Sequence, residues 1–392
     1  MTDMLNILYL VHDVTDPAVR RRMMMLREGG AQVALAGFRR TATPAAAIEG
    51  VIPVDLGRTH DGRFLQRLTA VGTAALSLGA TLRRVRRPDL IIARNLEMLA
   101  LATRARSLFQ GDGVPIVYEC LDIHRLLLRD DVIGRAMRGA ERRLLDRASL
   151  LLTSSPAFIR DYFDARGQGS VPFELLENRH FEPVTGADDL PASMRLAPPW
   201  RIGWHGALRC SRSLQLLSAF SRRAQGRFEV VLRGRPALSE FADFHASVEA
   251  EPFLSFEGGY RNPEDIEAIY RDVHFSWAID FFEDDLNSKW LLPNRLYEGC
   301  RFGAVPIAMD GTETARFLQS RDIGIVLPAP TVEALETAFA EMNMERFQVM
   351  QANVTRTDRA TWVCDRRACE ALVKRLAGLT AAPHVTFSER LA

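Results

Sequence analysis

The sequence predicts an α/β protein made of two doubly wound domains, each a mainly parallel sheet covered by helices on both faces. Three observations carry that reading. Continuous apolar runs of strand length alternate with helix-length segments through residues 6–341, the pattern of successive β-α-β units. The stretch PVTGADDLPASMRLAPP (183–199), rich in Pro, Ala and Asp, interrupts the alternation once, as an interdomain linker would. A chain of 392 residues is also long enough for two such domains, each with its own core.

Local signals justify each element in turn. NILYLVH (6–12) lacks polar alternation and fits a strand buried on both faces. Asp16 is placed to cap the next helix, with Pro17 at its first position and Gly29-Gly30 at its end. AQVALAGF (31–38) and GVIPVDLG (50–57) read as the next two strands, and a helical segment over 62–86 ends in RRVRRP. PDLIIAR (88–94), a helix over 97–109, VPIVYEC (114–120), RASLLLTSS (147–155) and a helix near 156–165 complete the first half.

Beyond the linker come strands WRIGWHG (200–206), RFEVVLRG (227–234), FLSFEGG (253–259), VHFSWAID (273–280), AVPIAMD (304–310) and IGIVLPAP (323–330). Helices over 211–225, 263–271, 293–301 and 331–341 separate them. Cys364, Ala368, Leu372 and Leu376 share one face of a last helix, and the final dozen residues are expected to be loose. The expected boundaries are 1–182, a linker over 183–199, 200–362, and 363–392 as a helix packing back on the first domain followed by a tail.

Composition narrows the function. A net charge of +1 gives no global case for nucleic acid. Residues 1–182 carry 26 basic against 21 acidic side chains, and residues 183–392 carry 24 against 28. The mildly basic first half suits an anionic surface or substrate, or reflects scatter. Five cysteines without a CxxC pair point to reduced thiols in a cytosolic protein, not to zinc or disulfides. LNILYLV (5–11) is too short and too early for a signal peptide, and no apolar run is long enough for a bilayer.

Open parallel sheets bind ligands beyond the carboxyl ends of their strands. GWHGALRCSRS (203–213) follows a strand and opens a helix there. Gly206 would let the backbone approach a phosphate, and Arg209 and Arg212 would add fixed charge. The alternative is a turn whose glycines only relieve strain. Arg233 and Arg235 in VLRGRP fall just past the next strand, on the same sheet edge. In PNRLYEGCRFGAVPIA (293–308), Pro293 fits a helix first turn, and Asn294 and Glu298 share a face four residues apart. The Glu298 carboxylate suits a ribose diol if a nucleotide lies here, with Lys289 near its phosphates. The alternative is an exposed Glu paired with Arg295 or Arg301.

These residues resemble a family. PNRLYEGCRFGAVPIA looks like the donor segment of GT-B glycosyltransferases, in which a helix ending in an acidic residue precedes a Gly-x-Pro-Val-Ile-Ala-like strand. PDLIIARN, IVYECLDIH, LLTSSPAFIRDYF and ELLENRH resemble successive segments of the acceptor domain. RIGWHGALRCSRSLQLL resembles the first donor-domain strand, phosphate loop and helix. The likeness extends over residues 5–340 and is most similar to bacterial exopolysaccharide transferases of the succinoglycan and xanthan kind.

The resemblance implies two Rossmann-like domains facing a cleft, an acceptor domain followed by a nucleotide-sugar domain. It implies that Glu298 binds the ribose, and that Gly206 with Arg209 or Arg212 meets the diphosphate, helped by Lys289, Asn294 and Arg295; Arg233, on the same sheet edge, is expected to add to that anion site. Gly259-Tyr260 would lie near the base. Trp290 stands where many retaining members carry a second glutamate, and Ala207 where an arginine often follows the loop glycine. An inverting enzyme is therefore expected, with a general base on the acceptor side. Asp122 is the first choice, His124 the reserve and Glu119 the third; the alternative for Asp122 is a helix cap. His12 and Asp13 are expected to line the acceptor site, or else to form a turn and cap.

DFFEDDLN (280–287) is read as a solvated loop, because such enzymes use protein cations and helix dipoles for the leaving diphosphate; no metal or other cofactor is expected. The segment 62–87 and the arginines Arg125, Arg129, Arg135, Arg138, Arg142 and Arg143 suit anionic lipid, or a solvated charged surface. The expected function is transfer of a hexose or uronic acid from a nucleotide sugar, UDP-linked, to a lipid-diphosphate-linked saccharide. The expected place is the cytoplasm, peripheral to the inner face of the membrane. A UDP-sugar 2-epimerase on the same fold and a non-catalytic nucleotide-sugar-binding scaffold are the rivals.

Overall fold

The computed structural model describes residues 4–59, 64–109, 113–169, 171–184, 197–283 and 287–381. The chain divides into two compact units, Met1–Leu176 with Cys364–Ala392, and Glu177–Val363.

In the first unit the strands are β1 (Asn6–Val11), β2 (Gln32–Arg39), β3 (Val54–Arg58), β4 (Leu90–Arg94), β5 (Ile116–Cys120), β6 (Leu150–Thr153) and β7 (Phe173–Leu175). They form a parallel sheet in the order β3-β2-β1-β4-β5-β6-β7. Tyr9 at its centre faces Leu35 on one side and Ile92 on the other. β4, β5 and β6 are buried along their whole length, because helices cover both faces and no position faces water. The helices are α1 (Pro17–Glu28), α2 (Phe64–Leu82), α3 (Leu96–Leu108), α4 (Val132–Leu145) and α5 (Pro156–Phe158). Asp16 caps α1, its carboxylate accepting the Ala18 N–H at 2.8 Å. The C-terminal helix Arg366–Ala381 packs on α1. A Cβ at Gly29 would lie 2.3 Å from the Cys369 carbonyl oxygen, so a glycine is needed for that approach.

The second unit holds β8 (His180–Phe181), β9 (Trp200–Leu208), β10 (Phe228–Pro236), β11 (Leu254–Phe256), β12 (Phe275–Trp277), β13 (Val305–Met309) and β14 (Ile325–Leu327). Its main sheet is parallel in the order β11-β10-β9-β12-β13-β14. Around it lie α6 (Ser211–Arg223), α7 (Phe244–Glu249), α8 (Ile266–Arg271), α9 (Asn294–Arg301), α10 (Glu313–Gln319), α11 (Val332–Phe339), α12 (Met344–Arg356) and α13 (Arg359–Trp362). Trp200, Trp204, Trp277, Phe220, Phe228, Phe275, Phe339 and Phe347 build one core layer. Burial of each large side chain contributes about 1.5–3 kcal/mol.

Several boundaries differ from the sequence reading. β3 starts at Val54, because Ile48 and Val51 bridge around a turn in which Gly50 takes φ 76°. Residues 156–165 split into the short α5 and a π-helical turn, Ile159–Asp164. Pro293 stays extended (φ −72°, ψ 152°), so α9 starts at Asn294. β9 runs to Leu208, past the glycine expected to begin a loop. Gly206 (φ 109°) and Gly234 (φ 132°) sit opposite each other, and a Cβ on Gly234 would lie 1.9 Å from the Gly206 carbonyl oxygen. That glycine pair keeps β9 and β10 hydrogen-bonded to their ends. α12 and α13 have no counterpart in the sequence reading. Most of the linker (185–196) and the tail from residue 382 lie outside the described residues.

In each sheet the strand order reverses once, between β1 and β4 and between β9 and β12. Those two switch points are where this architecture opens a crevice for a ligand.

Candidate active site

The second unit gathers the candidate donor residues around its switch point. Gly206 lies near the end of β9, and the Tyr260 hydroxyl stands 3.8 Å from where a Gly206 Cβ would be. Glu298 on α9 is 2% exposed. Its Oε1 accepts from Asn262 Nδ2 at 2.8 Å and its Oε2 from the Tyr270 hydroxyl at 3.4 Å. Glu298 is therefore buried, not exposed as the alternative reading had it, while Arg301 pairs with Glu182 at 2.7 Å and Arg295 donates to the Ile279 carbonyl. Burial, and secondarily the Glu298 charge, push the Tyr260 phenol well above its usual range, so it stays protonated.

Arg295 is buried and donates to the Ile279 carbonyl at 2.8 Å, with Asp280 at 3.9 Å. Asp280, just past β12, also takes Arg209 at 2.9 Å. Burial raises its carboxyl, but Arg295 and Arg209 outweigh that and hold it low. Arg209 and Arg212 lie over Phe282 and Phe281, at 4.7 and 4.6 Å from the ring centroids. Arg233 turns to Glu257. Lys289 and Asp280 line an open pocket of about 490 Å³ at the ends of β12 and β13, with Ser288, Pro293, Asp310 and Thr312. Asn294 begins α9 one turn before Glu298. His205, opposite Arg233, is buried with no hydrogen-bond partner on either ring nitrogen. Burial and three arginines bring its pKa down to about 3, so it is neutral.

In the first unit the candidates fall on the carboxyl edge of the sheet. His12 and Asp13 follow β1, and Asp122 follows β5. His12 Nδ1 accepts from Asn95 Nδ2 at 3.2 Å. Asn95, at the end of β4, holds φ 73°, an uncommon conformation for a residue other than glycine. Burial, then Arg94, lowers the His12 pKa against the opposing Asp16 and Glu97 charges. Asp13 accepts from the Thr15 hydroxyl at 2.7 Å and pairs with Arg40 at 2.7 Å, so it both shapes the turn and anchors β2.

Asp122 is exposed and does not cap the next helix, where Asp131 accepts the Gly134 N–H instead. His124 Nδ1 accepts the Leu126 N–H at 3.3 Å, which puts the neutral ring's proton on Nε2. Glu119 is fully buried. Tyr9 donates to it at 2.5 Å and Arg22 at 2.6 Å, with Arg94 at 3.5 Å. The third-choice base is therefore a structural counter-ion.

Asn262, Tyr270 and Asn95 carry no local signal in the sequence. Asp280 falls in the acidic stretch expected to be a solvated loop, but its side chain is mostly buried and paired with Arg209. Asp284 and Asp285 of the acidic loop lie outside the described residues. No group of three or more metal-ligating side chains converges among the described residues.

The glycosyl transferase 4-like domain family matches residues 16–178. The succinoglycan biosynthesis protein ExoL of Rhizobium meliloti (strain 1021) is 58% identical over 381 residues, covering 96% of this chain and 94% of the relative. The chain belongs to the GT-B glycosyltransferases.

The fold agrees across distant members. Sucrose-phosphate synthase from Thermosynechococcus elongatus superposes with a TM-score of 0.72 at 14% identity, covering 97% of this chain and 100% of that one. Anabaena HepE, solved with UDP and glucose, gives 0.66 at 13% identity over 95% and 99%. The lipopolysaccharide outer core galactosyltransferase WaaB gives 0.63 at 13% over 95% and 99%. Among the described residues no helix is long and apolar enough to cross a membrane.

Proposed function

We propose that this glycosyltransferase moves a hexose or uronic acid from a UDP-sugar to a lipid-linked saccharide in the synthesis of a succinoglycan-type exopolysaccharide. The role in polysaccharide synthesis is supported by the 58% identity to ExoL. The observation that carries the donor reading is the buried Glu298 carboxylate, held by Asn262 and Tyr270 near Tyr260. A ribose diol supplies the two O–H donors that such a carboxylate accepts. Arg209, Arg212, Arg233, Lys289, Asn294 and Arg295 would meet the diphosphate, with no metal required.

On the acceptor unit, Asp122 would take the proton of the attacking hydroxyl as the donor bond breaks from the opposite face, giving inversion. His12 and Asp13 would orient the acceptor. Peripheral contact with anionic lipid is part of the reading. Val132 and Ile133, 70% and 51% exposed, begin α4 beside a run of arginines, which supports it.

The test is transfer from labelled UDP-sugars to lipid-linked acceptors, with the anomeric configuration of the product read by NMR. A β-linked product from an α-linked donor is expected; an α-linked product refutes inversion. Glu298→Ala should weaken UDP binding about tenfold to a hundredfold, the loss of hydrogen bonds to a charged group. Unchanged UDP affinity in a folded variant refutes the ribose assignment.

A further inference from the structure

Glu298 is held by side chains from two other elements. Asn262 comes from the loop between β11 and α8, and Tyr270 from α8 itself. The loop's course is fixed locally. The Arg261 backbone N–H donates to Asp265 at 2.8 Å, and the Arg261 guanidinium pairs with the same carboxylate at 2.9 Å. Two residues before Asn262, Tyr260 brings its hydroxyl to Gly206. One short loop thus reaches both the glycine at the end of β9 and the carboxylate on α9.

A carboxylate on a glutamate turns easily about its last torsion, which has broad minima. An ionised carboxylate accepts only, so the Asn262 amide must face it with its N–H₂ group.

We propose that Asn262 is a positioning residue of the nucleotide site, whose amide fixes the plane of the Glu298 carboxylate for the ribose 2′- and 3′-hydroxyls. The inference rests on the ribose-binding reading of Glu298. It adds a consequence that reading lacks: discrimination of ribose from deoxyribose depends on a residue 36 positions away that need not touch the sugar. An alanine at 262 leaves the carboxylate present with one fewer donor to fix its plane, so the diol must complete its ordering on binding.

The experiment is calorimetric titration of the full chain with UDP, 2′-deoxy-UDP and 3′-deoxy-UDP. The parent protein should bind UDP at least about tenfold more tightly than either analogue, the loss of one hydrogen bond to a charged group. Asn262→Ala should weaken UDP about tenfold and lose most of that discrimination. Asn262→Asp, the same shape with a second carboxylate, should weaken UDP further and keeps the inference testable if the alanine variant does not fold. Equal weakening for all three ligands, or full discrimination in a variant, overturns the positioning role. Absence of discrimination in the parent protein instead overturns the ribose assignment of Glu298, and the inference falls with it.

Discussion

Glu119→Gln keeps the shape of a fully buried side chain and removes its charge. The carboxylate serves two cations, Arg22 at 2.6 Å and Arg94 at 3.5 Å, whose side chains are 4% and 5% exposed. Asp16, 3.5 Å from Arg94, is a further counter-charge in this knot. Removing one partner of such a buried pair costs about 3–5 kcal/mol, because the remaining charge is desolvated without compensation. At roughly 2–4 °C per kcal/mol for a domain of this size, the melting point should fall by about 6–20 °C.

The assay is differential scanning fluorimetry of both proteins, with transfer activity measured below both transitions, where it should persist. An unchanged melting point refutes the packing argument; an unchanged melting point with abolished activity would make Glu119 a chemical group after all. Burial raises the Glu119 carboxyl, but Arg22, Arg94 and the Tyr9 hydrogen bond hold it below its usual value. Its stabilisation is therefore present above the unfolded pKa and lost as pH falls through the lower folded value. The glutamine variant should lack that part of the acid transition.

Glu141 should behave oppositely. Burial pushes its carboxyl up, despite hydrogen bonds from Tyr162, Gln168 and Tyr118. Stability should then fall as pH rises from the unfolded pKa through the folded one, and Glu141→Gln should remove that slope and match or exceed the parent melting point at neutral pH. Gly234→Ala puts a Cβ 1.9 Å from the Gly206 oxygen at φ 132°; loss of at least about 2 kcal/mol and of UDP binding is expected, and a normal melting curve with normal binding refutes the glycine-pair reading. Asp122→Asn should lower turnover about 10²–10⁴-fold with UDP affinity unchanged, whereas retained turnover removes it as the base.

The sequence by itself determined the two-sheet α/β class, and most strands, because strands buried on both faces write continuous apolar runs. It also pointed to the carboxyl end of the sheet where Gly206 and Arg233 lie, since neighbouring parallel strands end on one edge. Helix starts at Asp16 and Thr331 follow from local chemistry in the same way. Tertiary structure decided the partners. Glu119, Asp122 and His124 lie within six residues, and nothing local separates a buried counter-ion from an exposed carboxylate. That depends on Tyr9, Arg22 and Arg94, which are 110, 97 and 25 positions away. The reach of β9 past Gly206 likewise depends on Gly234 across the ladder. The hold on Glu298 depends on Asn262, which only the fold brings to it. Backbone class is set by periodicity, which is local; charge state and rotamer are set by whatever packs alongside, which is not.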